Sequence, residues 1–254
     1  MRFCGDYHMH TRSSDGHASV EGCVRAAKER GLKEIAISDH SFATFMYHMT
    51  EKKFAKQSAE ISALSGCGVK ILQGIEGNLI GNKLDVPHSV IRKCDVLTVG
   101  FHRFISPSKQ DGQNKFLRVN GFAGKGKREK LAYLNTEAYL SVMENYPIDI
   151  IAHLGHRAIV DFAKVCECAA RHNVYIELNA KHLDTLKDGI ADAIGAGLNF
   201  IVGSDAHSAD KIGKFEEIEK FIKDNKIPMN RVFGIDGNTP VFKDKKEWKY
   251  GGDV

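Results

Sequence analysis

The sequence predicts an α/β fold, a closed parallel (β/α) barrel. Seven short apolar runs alternate with helical stretches, and nearly every run ends in a side chain able to hold a metal ion. The length of 254 residues is close to the roughly 250 typical of one such barrel. The runs are continuous rather than alternating, as strands buried on both faces require. Repeated β-then-α order implies right-handed crossovers into a parallel sheet. An open sheet would gather its ligands at one switch point, whereas here they recur strand after strand.

The strands are expected at 2–8, 34–38, 69–74, 95–101, 149–153, 174–179 and 199–204. Ser19 is placed to cap the first helix, VEGCVRAAKER, and Gly31 to stop it. EKKFAKQSAEISALSG supplies the second helix, and PHSVIRK only a short one. Later helices are expected over 136–145, in DFAKVCECAARH, in LDTLKDGIADAIGAG and in KFEEIEKFIKDN. One connection, 103–134, breaks the rhythm. It holds eight basic residues against two acidic ones, a net +6 against +4 for the whole chain. A loop of that length is functional or disordered, so it reads either as a lid meeting an anionic substrate or as a solvated surface loop. The polar tail over 240–254 is expected to pack loosely through Phe242 and Trp248. The whole of 1–254 is read as a single domain.

A hydrophobic content of 43% supports a substantial core, and 27% charged residues is ordinary for a soluble protein. The mild positive charge suits an anionic substrate without demanding nucleic acid. No apolar run approaches the roughly 20 residues that span a bilayer, and the N-terminus lacks an export leader's apolar stretch. Six cysteines are scattered without a CxxC pair, the pattern of free thiols in a reducing compartment. A cytoplasmic location is expected.

His8 and His10 form an HxH step. Side chains two apart on a strand share a face, so both imidazoles reach one ion at the strand's end. Asp15, His40, Glu76, His102, His153, Asp205 and His207 recur at the same level. Eight of the twelve histidines fall at or just beyond strand ends, with His48, His88, His172 and His182 the exceptions. Imidazoles with carboxylates suit zinc, manganese, iron or nickel, and the absence of cysteine from the set argues against a structural zinc. So many donors exceed one ion's needs. Glu76 is the natural bridge, giving one oxygen to each of two ions about 3.5–4 Å apart with a hydroxide between them. The glycines of GIEGN and GKGK form no P-loop, since no Lys-Ser or Lys-Thr opens a helix after them.

The ordered set HMHTRSSDGH, AISDHS, GIEGN, VGFH, IIAHLGH and GSDAHS resembles the PHP (polymerase and histidinol phosphatase) superfamily over 6–208. The resemblance implies a distorted (β/α)7, TIM-like barrel holding two or three divalent transition metal ions (Zn, Mn or Fe). It assigns His8, His10, Glu76 and Asp205 to a first ion, Glu76, His102 and His153 to a second, and Asp15, His40 and His207 to a third. His17 is the alternative to Asp15. Asp39 would then orient an imidazole by accepting its second N–H. Apart from the resemblance, Glu177 and Asn179 share one face of the sixth strand, placed either to orient ligands or to satisfy barrel hydrogen bonds.

These residues and the resemblance together imply a metal-dependent phosphoesterase of the phosphatase kind, acting on a small phosphomonoester such as histidinol phosphate. Glu76, Asp205, His207 and His156 are its expected catalytic residues; His156 is open as a ligand, a proton donor or a surface residue, and the leaving group's proton comes from it or from a water on the third ion. Arg157, Arg103 and Lys181 are the expected substrate ligands, with guanidinium matching phosphate geometry. A nuclease or phosphodiesterase acting on nucleotides or nucleic-acid ends is the alternative, favoured only by the basic connection. A non-catalytic metal module would tolerate broken ligand positions, and none is visible. An eight-stranded amidohydrolase barrel would bridge its metals with a lysine rather than Glu76. Membrane association is not expected, and the oligomeric state is left open.

Overall fold

All seven predicted strands form, each short because it need only cross the barrel wall: β1 (Gly5–Met9), β2 (Glu34–Ile37), β3 (Lys70–Ile80), β5 (Val96–Gly100), β6 (Ile150–Ile151), β7 (Tyr175–Asn179) and β8 (Phe200–Gly203). They pair in parallel in that order. The computed structural model describes residues 1–44, 46–102, 105 and 125–250, with side chains of the last segment from 128 onward. Among these residues, β4 (Lys83–Leu84) folds back on β3 as a hairpin, and β9 (Val232–Phe233) adds an eighth parallel strand beside β8. The circle nearly closes. At the C-terminal mouth Met9 bridges Ala206, whose carbonyl accepts from His10 N–H at 2.8 Å. At the other end the Gly234 carbonyl accepts from the Cys4 and Gly5 N–H groups. The fully buried Asp6 carboxylate ties the seam by accepting from the Ser204 and Gly213 N–H groups, both at 2.9 Å.

Helices α1 (Val20–Glu29), α2 (Glu51–Ala63), α3 (His88–Ile91), α4 (Lys125–Asn145), α5 (Phe162–Arg171), α6 (Leu183–Leu186), α7 (Ile190–Gly195) and α8 (Glu216–Asp224) fill the crossovers. Ser19 caps α1, its hydroxyl accepting from Gly22 N–H at 3.1 Å. No helix among the described residues is long and apolar enough to cross a membrane.

Four expectations need correction. Strand β3 continues past 74 to Ile80, so Glu76 lies within it rather than beyond its end. Helix α4 starts at Lys125, not near 136, and converts the last third of the basic connection into helix. Its apolar stripe runs on N-terminally, with Leu131, Ala138, Tyr139, Val142 and Tyr146 all buried at helical spacing. The stretch 183–197 is two helices, separated at 187–189, where Phe162 packs against Gly189. The tail is docked rather than loose. Lys245 is 2% exposed and holds Asp149 at 2.7 Å beneath the barrel, while Trp248 stacks on Tyr146. Most of the remaining connection, 103–104 and 106–124, lies outside the described residues, and so does Arg103.

Candidate metal centre

Glu76 is the hub of the mouth. Its Oε1 lies 3.0 Å from His153 Nε2 and 3.3 Å from His102 Nε2. Its Oε2 lies 3.0 Å from His40 Nδ1, 3.4 Å from His8 Nε2 and 3.7 Å from His10 Nε2. Asp15 meets His40 at 3.4 Å and His207 at 3.2 Å. Asp205 meets His10 at 3.5 Å and His207 at 3.4 Å. All nine residues read as ligands from the sequence therefore converge, from six strands and the turn after β1.

Three overlapping groups have donor atoms within 4.8 Å of one another: His8, His10 and Glu76; His40, Glu76 and His102; and His10, Asp15, His40 and His207. These groupings share His10 and His40 more freely than the three sets implied by the resemblance. His17 joins none. Its side chain is exposed, and its backbone N–H donates to the His207 carbonyl.

Local backbone and close packing position these side chains. His153 and Asp205 both take left-handed φ values, 33° and 51°, at the ends of their strands. That conformation is costly for a non-glycine residue and turns each side chain in toward the mouth. Gly100 lies beneath the hub, where a Cβ would come within 2.6 Å of Glu76 Oε1 and 2.8 Å of both His102 and His153. Gly203 does the same under Glu177 and His8.

Partners behind the ring fix two tautomers. His8 Nδ1 donates to Glu177 Oε1 at 2.8 Å, which leaves its Nε2 lone pair facing the centre. The Asn78 amide donates to Asp85 at 2.7 Å, so its oxygen faces His102 and accepts from Nδ1 at 2.7 Å. Asp39 does not orient an imidazole. It accepts instead from Thr11, Ser14 and Gln57 and shapes the turn that carries Asp15.

The electrostatics match a donor set built for cations. Burial opposes ionisation of Glu76 and Asp205, yet the imidazoles around them hold both carboxyls well below the usual range. Neighbouring rings diverge. Burial and the nearby His40 push His10 down to about 4, while Asp15 and Glu76 overcome burial to raise His40 to about 10. His10 Nδ1 and His153 Nδ1 are buried with no hydrogen-bond partner, and His40 Nδ1 and Glu76 Oε2, though 3.0 Å apart, lack hydrogen-bond geometry. Unsatisfied buried polar atoms are costly, and here they cluster in one place whose donors suit divalent ions. The residues present fit such ions.

A cavity of about 510 Å³ opens over the ring. Arg157, Lys181 and His156 are among the residues that line it. Lys181 Nζ lies 3.1 Å from Asp205 Oδ1 and 2.8 Å from His207 Nδ1. Burial and the nearby rings of His182 and His153 push the His156 imidazole down to about 3, which favours its neutral form. The sequence reading missed Asn78, which lies two residues beyond Glu76 on the same face of β3. It also missed His182, three residues past the β7 strand end.

A parallel barrel with overlapping histidine–carboxylate clusters at its C-terminal mouth, beneath a cavity lined by basic side chains, defines a metal-dependent phosphoesterase. The chain belongs to the PHP domain family, whose model matches residues 6–236. Two relatives named probable phosphatase agree with this class. One, from Shewanella loihica, is 28% identical over 91% of this chain and 89% of its own length. The other, from Thermoanaerobacter sp. strain X514, is 27% identical over 100% and 99%. In fold the chain is similar to a histidinol phosphate phosphatase from Lactococcus lactis, solved with zinc, L-histidinol and phosphate. That structure superposes with a TM-score of 0.62 at 15% identity, covering 96% of this chain and 98% of the other.

Proposed function

We propose that the protein is a phosphomonoesterase acting on a small organic phosphate, with two or three divalent transition ions (Zn, Mn or Fe). The convergence of five imidazoles on the two oxygens of Glu76 carries this reading. His8, His10, Glu76 and Asp205 would hold one ion, Glu76, His102 and His153 a second, and Asp15, His40 and His207 a third. When bound, such ions supply Lewis acidity toward phosphoryl oxygens and let water ionise near neutral pH.

The chain's own residues do the rest. Glu177 and Asn78 keep His8 and His102 in the tautomer that offers Nε2. Arg157 and Lys181 meet the substrate's negative charge on the open side of the cavity and stabilise it as it spreads in the transition state. Arg103 joins them in this reading as the first residue of the basic connection. Histidinol phosphate, the compound whose two parts the Lactococcus enzyme binds, is one member of the class to test. Six unpaired cysteines support a cytoplasmic site of action.

Elemental analysis of the purified protein, with turnover of p-nitrophenyl phosphate beside its bis-ester, tests the reading. Bound transition metal and monoester turnover lost on chelation are expected. Turnover of the diester alone would transfer the protein to the phosphodiesterase alternative.

A further inference from the structure

His156 and His182 lie ring against ring beside the metal centre, their centroids 3.8 Å apart and their planes tilted by 30°. They project from the turns after β6 and β7, which are neighbours in the barrel. The two turns are bonded together, Thr185 Oγ1 donating to the Leu154 carbonyl at 3.1 Å. Their packing leaves no slack. A Cβ on Gly155, at φ 86°, would come within 2.8 Å of Phe162 and of the Thr185 carbonyl. Neither ring belongs to the three groups of mutually close donor atoms.

Both rings line the cavity over the metal centre, and the same cavity is lined by Met46 and Tyr47. Those two side chains are 69% and 46% exposed, large apolar groups left open to solvent at the mouth. Pockets of about 300–1,000 Å³ enclose whole organic ligands, so this one accommodates far more than a phosphate. Its polar wall lies toward Asp205 and Lys181. The rings of His156, His182 and Tyr47 also belong to its lining.

We propose that the His156–His182 pair is the leaving-group platform, selecting phosphomonoesters whose alcohol carries a flat unsaturated ring, with Met46 and Tyr47 covering that ring from the rim. The inference rests on the phosphomonoesterase reading and adds the class of alcohol. Offset stacking on imidazole faces rewards planar groups over compact polyols.

Steady-state kinetics on phenyl phosphate and glycerol 3-phosphate, with metal-loaded wild type, His182→Ala and His182→Phe, test it. In His182→Ala the kcat/KM ratio of phenyl over glycerol ester falls about tenfold relative to wild type, through KM rather than kcat. His182→Phe restores the ratio, because it keeps a flat ring without the imidazole's nitrogens. An unchanged ratio in His182→Ala overturns the proposal, and so does a His182→Phe variant as poor as His182→Ala. If His182→Ala is recovered unfolded, Tyr47→Ala carries the same comparison from an exposed position. A wild type that hydrolyses neither ester overturns the phosphomonoesterase reading and this proposal with it. One that hydrolyses both, with a ratio insensitive to His182 and Tyr47, overturns this proposal alone.

Discussion

Glu177 Oε1 accepts from His8 Nδ1 at 2.8 Å, and the same carboxylate accepts with Oε2 from the backbone N–H of His153, just past the neighbouring strand, at 2.9 Å. One buried acid thus orders two proposed ligands, fixing the tautomer of the first and the strained backbone of the second. Removing such an outer partner typically costs about 10–100-fold in metal affinity. Glu177→Gln keeps the shape but lacks the charge that stabilises the His8 N–H, so weaker metal binding with a retained fold is expected. Metal titration beside circular dichroism checks this. Wild-type affinity in Glu177→Gln would show that His8 needs no such partner.

Gly100→Ala strikes the centre from below. Its methyl would press on Glu76, His102 and His153 at once. Overpacking of this kind costs about 1–3 kcal/mol. The expected result is reduced metal content and a lowered melting temperature in the metal-loaded protein. Unchanged metal content would mean the hub relaxes without losing its geometry.

The candidate ligands were legible in the sequence because all but Asp15 and His207 sit within two residues of a predicted strand end, and strands are read from local apolar runs. Asn78 was not, for a physical reason. Gly77 and Asn78 are poor strand formers, so the apolar pattern stops at 74 while the ladder continues to Ile80. Asp39 misled by adjacency: it neighbours His40 in sequence, yet its carboxylate faces Thr11 and Gln57. The start of α4 was hidden by glycine and lysine, which signal a loop even where Leu131 is buried. Lys245 was invisible, since a lysine in KDKKEWKY is expected in solvent and its partner, Asp149, lies far away in sequence.

That partner makes the tail a structural element. Lys245 also donates to the Asp95 and Lys243 carbonyls, both at 2.9 Å, and Asp149 accepts from the Leu97 and Lys243 N–H groups. Breaking a buried pair leaves an uncompensated charge and costs about 3–5 kcal/mol. Lys245→Met should lose that much in urea unfolding, and adding Asp149→Asn should recover part of it. Equal losses in the single and double variants would show that the strap acts through packing rather than through the charge pair.

The buried thiols set an alkaline limit on the fold. Burial pushes Cys23, Cys94 and Cys166 from an ordinary value of 9.0 up to about 12. A thiol raised in the folded state stabilises the fold fully below the unfolded value, and that contribution is lost as pH rises from 9 toward 12. Across this window the unfolded chain releases protons that the native state retains, at about 1.4 kcal/mol per thiol per pH unit. Stability should therefore fall steeply above pH 9. Cys94→Ala creates a small cavity and lowers stability at pH 7, but its stability should decline less steeply with pH than that of wild type. Urea midpoints measured from pH 8 to 11 decide the matter: parallel declines in the two proteins would place the alkaline sensitivity on other groups.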